Sequence, residues 1–84
     1  MSLTEIREHK EAYALAQKDL RRARKDVAEL EKTLRIAHDA HADENRIVLL
    51  SNALDLATVD VAKAKAELSR TGDLVLKSYQ GENE

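Results

Sequence analysis

The chain has no cysteine and no proline, and its only glycines are Gly72 and Gly81. Without cysteine there is no disulfide framework and no thiolate metal site, so two common staples of small folds are missing. Without proline or glycine, the stretch before Gly72 contains no strong helix breaker. Tryptophan and phenylalanine are absent and there are two tyrosines. That argues against the aromatic platforms on which nucleic-acid bases stack, and against a large globular core. No glycine-rich phosphate loop and no nucleophile–base pair stands at a readable spacing, so neither catalysis nor a cofactor is expected. The N-terminus lacks a basic segment followed by an apolar one, and no signal peptide is expected. The most apolar run, residues 47–61, is interrupted by Asp55 and Asp60 and is too short to span a bilayer. The expectation is a soluble, cytoplasmic protein.

What remains is rich in alanine, leucine, lysine, arginine and glutamate, the composition of long helices and coiled coils. One small domain of 84 residues buries a low fraction of its surface, which leaves oligomerisation as the available staple. The net charge is −2 and uneven: residues 1–40 carry nine basic against eight acidic groups, residues 41–84 five against eight. Neither balance calls for a polyionic partner.

Ser2 and Glu5 have capping-box spacing, and Met1 with Ile6 can supply the accompanying hydrophobic staple. A single heptad frame follows. Ile6, Tyr13, Leu20, Val27, Leu34 and His41 occupy a; His9, Ala16, Ala23, Leu30 and Ala37 occupy d. The frame then slips, because His41 to Ile47 is six residues where seven would continue it. Asp43 can cap a new helix, with Glu44 adding favourable negative charge at its start. In the second frame Ile47, Leu54, Val61, Leu68 and Val75 occupy a, and Leu50, Ala57, Ala64, Thr71 and Ser78 occupy d.

These patterns predict an all-α, two-helix antiparallel coiled-coil hairpin that dimerises into a four-helix bundle. The expected bounds are helix 1 at about 3–41, a turn at about 42–45 and helix 2 at about 46–71. A short segment at 73–79 and a disordered tail at 80–84 complete the chain, with 1–79 forming one domain. Gly72 is read as the C-cap of helix 2. Folding back about the turn pairs Leu34 with Leu50, Leu30 with Leu54, Val27 with Ala57, Ala23 with Val61, Leu20 with Ala64 and Ala16 with Leu68. A register seven residues along also sets large against small. One unbroken helix to Thr71 in a parallel dimer is the alternative, and the phase slip argues against it.

The turn Ala42-Asp43-Glu44-Asn45, with heptads on both sides, resembles that of the Rop family of small plasmid copy-number regulators. Those proteins are helical hairpins that dimerise into four-helix bundles and bind paired RNA loops. The resemblance covers about four residues and the general architecture, and this chain is longer. It implies a hairpin.

Three sets of residues are candidates for function. On helix 2, Val48, Leu49, Leu56 and Val59 lie off the seam, and Leu49, Leu56 and Val59 form a line facing away from it that solvent does not favour; the four are the expected partner or dimer interface. Lys18, Arg21, Arg22, Arg24, Lys25, Lys32 and Arg35 form a basic cluster, diluted by Asp19, Asp26, Glu29 and Glu31 to a balance of +3 over residues 18–35. Such a cluster is a stripe for phosphates or a solvated helix surface with Glu31–Arg35 and Glu29–Lys32 pairs. His38 and His41 beside Asp39, Asp43 and Glu44 have spacing that can hold a divalent metal, though a turn of this composition is also an ordinary solvated turn, and no metal is expected. His9 reads as a polar layer in the seam. The leading expectation is a non-enzymatic protein-interaction module, an adaptor, small inhibitor or assembly subunit. The alternative is a Rop-like nucleic-acid binder using the basic face of helix 1.

Overall fold

A computed structural model describes residues 2–82, without the side chains of residues 81 and 82. Two helices, α1 (Leu3–Asp39) and α2 (Glu44–Glu82), pack against each other as a hairpin. Helices of 37 and 39 residues are about 55–60 Å long at 1.5 Å per residue. The hairpin accordingly measures 63 × 15 × 13 Å. Its radius of gyration is 18.7 Å, where a compact domain of this length has about 12 Å. The molecule is a rod two helices thick.

Burial follows the two heptad frames. On α1 every a and d position from Ile6 to Ala37 is buried or half-buried, and on α2 the same holds from Ile47 to Ser78. Ile6, Leu20, Ala16, Ala37 and Ala57 are the most enclosed apolar residues. Three of those five are alanines, which draw the axes together at the expense of buried area per layer. The start of α1 is held as its spacing implies: the Ser2 hydroxyl accepts from the Glu5 amide at 3.2 Å. Met1, the other half of the expected staple, lies outside the described residues.

The turn comes two residues earlier than expected. α1 ends at Asp39, Ala40 is its C-cap, and His41 takes a left-handed conformation with φ 54°. The Ala42 amide donates to the Ala37 carbonyl at 2.9 Å and the His41 amide to that of His38 at 3.1 Å. This is the Schellman arrangement, with histidine where glycine is usual. His41 is therefore not the last seam residue of α1: it is exposed and outside the helix. Asp43 stands at the N-cap position of α2, and its carbonyl accepts from the amides of Arg46 and Ile47 at 3.0 and 3.1 Å.

α2 is longer than its sequence suggests. Gly72 does not end it, because the helix runs on to Glu82 with no glycine in the left-handed region. The segment 73–79 is thus a continuation of α2, and the expected tail is helical as far as Glu82; residues 83 and 84 lie outside the described residues. Gly72 faces the ring of Tyr13 across the seam: a Cβ built there would stand 3.4 Å from its Cε2, at van der Waals contact. Near the open end, His9 Nδ1 lies 2.8 Å from Ser78 Oγ. The expected register assigns Tyr13 to Thr71 and His9 to Val75. The observed neighbours lie one and three residues further along α2.

Candidate interaction surface

A two-helix rod has two broad flanks. In an antiparallel pair the e positions of both helices border one flank and the g positions the other, with b and c behind them. On the e flank, a groove of about 510 Å³ is lined by Tyr13, Leu68, Gly72, Val75 and Leu76 beside Lys65 and Asp73. Leu68 also belongs to the adjoining groove with Gln17, Leu20, Arg21 and Arg24. Lys10 sits over the Tyr79 ring, 4.7 Å from its centroid, a cation–π contact that ties the helices together on this side.

The g flank carries the other groove, about 490 Å³, lined by Leu30, Thr33, Ala53, Leu56 and Ala57 and rimmed by Asp26, Glu29 and Asp60. Asp26, Ala57 and Asp60 are shared with a neighbouring depression that holds Asp19, Arg22, Ala23 and Ala64. Large apolar side chains stand exposed at the c positions along this flank. Ile36 is 57% exposed, Leu49 70% and Leu56 68%.

The four residues expected as an interface are all exposed, but they do not share one surface. At 100° per residue Leu49 and Leu56 coincide, Val59 lies about 60° from them, and Val48 lies about 100° from Leu49 toward the e flank. Leu49 and Leu56 therefore belong to the g flank, with Val59 on the back of α2. Ile36 holds the same heptad position on α1, and only the fold places it on the flank of Leu49 and Leu56.

The basic cluster is exposed and divided. Arg21, Arg24 and Arg35 stand on the e side, Lys18, Lys25 and Lys32 on the back of α1, and Arg22 on the acidic g flank beside Asp19 and Asp26. The expected pairs Glu31–Arg35 and Glu29–Lys32 are not closed; among the described residues the ion pair formed is Glu67–Arg70. Arg70 donates twice to that carboxylate, once at 3.0 Å through Nε. These hydrogen bonds, with the guanidinium charge behind them, hold Glu67 below the usual carboxylate range and raise Arg70.

His38, Asp39, His41 and the acids of the turn are not brought together as ligands: among the described residues no group of three His, Asp or Glu side chains could hold a metal ion. The structure does join one serine to one histidine that lie far apart in sequence, Ser78 and His9. Ser78 is 0% exposed and also donates to the Leu74 carbonyl at 2.8 Å. Thr71, 1% exposed, donates to the carbonyls of Glu67 and Leu68. Both hydroxyls are spent inside the seam, where no substrate reaches them, so this is a polar layer of the core. No helix among the described residues is long and apolar enough to cross a membrane.

No protein-family model, no curated protein and no solved structure matches the chain.

Proposed function

We propose that this chain is a non-enzymatic helical interaction module that self-associates as a four-helix bundle through the apolar flank of α2. The observation that carries the reading is the exposure of Leu49 and Leu56 on a helix whose opposite face is already used by the seam. The surface area supports it. The hairpin exposes 6472 Å², against about 5,000 Å² for a monomeric globular protein of this mass. A rod two helices thick encloses too few residues to be left alone, and covering a Leu side chain contributes about 1.5–3 kcal/mol. Association and stability are therefore coupled, and a foreign protein can be gripped by whatever apolar surface the bundle leaves open. Adaptor, inhibitor and assembly subunit all use a surface of this kind.

The test is the double replacement of Leu49 and Leu56 by lysine. It should give a chain of half the native mass with reduced helicity, or a folded chain that no longer retains a partner co-purified with the tagged wild type. Unchanged mass, melting and partner retention would overturn the proposal.

A further inference from the structure

The g and c positions of α2 at its turn end are Arg46, Leu49, Ala53, Leu56 and Asp60. Alternating steps of three and four residues keep them on one ridge of the helix. Four are exposed and Ala53 is half-buried; Ala53, Leu56 and Asp60 border the same groove. The ridge is complementary to its own reverse. Arg46 and Asp60 each stand seven residues from Ala53, opposite in charge, and Leu49 and Leu56 stand four and three residues from it. Asp43 at the turn and Lys63 repeat the pattern at ten residues.

We propose that a second copy of the chain docks antiparallel along this ridge, about a two-fold axis at Ala53. This inference rests on the self-association proposed above and assigns its seam. In such a contact Arg46 meets the partner's Asp60, Leu49 meets the partner's Leu56, and the small Ala53 meets its own equivalent where the helices come closest. A two-fold interface requires this reciprocity, in which residue i meets j and j meets i. A foreign partner would impose no such symmetry on the ridge. The surface beyond that of a globular protein of this mass also exceeds the roughly 800 Å² per partner that a standard interface covers.

Sedimentation equilibrium on the full chain tests it, using Arg46→Glu and Asp60→Arg separately and mixed one to one. Each variant alone places like charges together at both ends of the ridge and should self-associate about tenfold more weakly than wild type. The mixture restores both pairs, because the glutamate introduced in one variant faces the arginine introduced in the other, and should recover wild-type affinity. In parallel, Ala53→Cys should oxidise readily to a disulfide-linked dimer, while Asn52→Cys, one position off the ridge, should not. A dimeric wild type whose single variants associate normally, or whose mixture recovers nothing, overturns the assignment of the ridge and leaves self-association standing. Equal cross-linking of the two cysteine variants also counts against the ridge. A wild type that is monomeric at every concentration overturns self-association itself.

Discussion

Replacing Gly72 by alanine should stabilise the protein. Gly72 lies inside α2, far from either end, where glycine costs about 0.5–1 kcal/mol relative to alanine because its unfolded backbone is freer. The new methyl would sit 3.4 Å from Tyr13 Cε2 and 3.8 Å from Cδ2, at van der Waals distance from an aromatic edge. It should therefore add contact without displacing the ring. The sum is a gain of about 1 kcal/mol, and an 84-residue chain with about 2.1 cal/mol/K per residue of unfolding entropy converts this to about 6 °C. Thermal denaturation followed by circular dichroism reads it, with protein concentration fixed because an associating chain melts higher when concentrated. A fall in melting temperature for Gly72→Ala would refute the reasoning, because it would mean that the ring cannot accept even one methyl.

His41→Gly should also stabilise, by about 1 kcal/mol, since a left-handed backbone strains every residue with a Cβ; thermal melting checks it. For the Glu67–Arg70 pair the sign follows from the lowered carboxylate pKa. Its contribution is present above the unfolded pKa and is lost as pH falls through the folded one. Because both groups are exposed, Arg70→Ala should leave neutral-pH stability almost unchanged and flatten only the acid limb of a pH–stability profile. Reversing Arg21, Arg22 and Lys25 to Glu should leave helicity within a few tenths of a kcal/mol of wild type, as judged by circular dichroism. If the wild type is retained on RNA at low salt and the reversal abolishes it, the nucleic-acid reading gains over the one proposed here.

The seam was legible because helical burial repeats along the chain: from Ile6 to Ala37 and from Ile47 to Ser78, each residue placed at a or d is at least half-buried. The features that were not legible each depend on the second helix or on an unusual residue. Gly72 has the look of a helix end, yet α2 runs through it to Glu82, packed there against α1 at Tyr13. The turn was displaced because histidine occupies the left-handed position where glycine would have announced it. The exposed apolar residues of α2 were found, yet their division between flank and back requires knowing where α1 lies. Ile36 shows the same point from the other side, since nothing in its own helix assigns it to the flank that Leu49 and Leu56 share. Ala53 is the quietest case: a small half-buried residue becomes informative only when Arg46 and Asp60 are seen at equal distances from it on one ridge.

Whether the hairpin completes itself with a second copy is tested most directly by the solution mass of the unaltered chain. Sedimentation equilibrium over a hundredfold range of concentration should return a species of twice the 9.4 kDa chain mass, dissociating on dilution with a parallel loss of helicity. A single species of 9.4 kDa at every concentration, with full helicity and a sharp, concentration-independent melt, would contradict it.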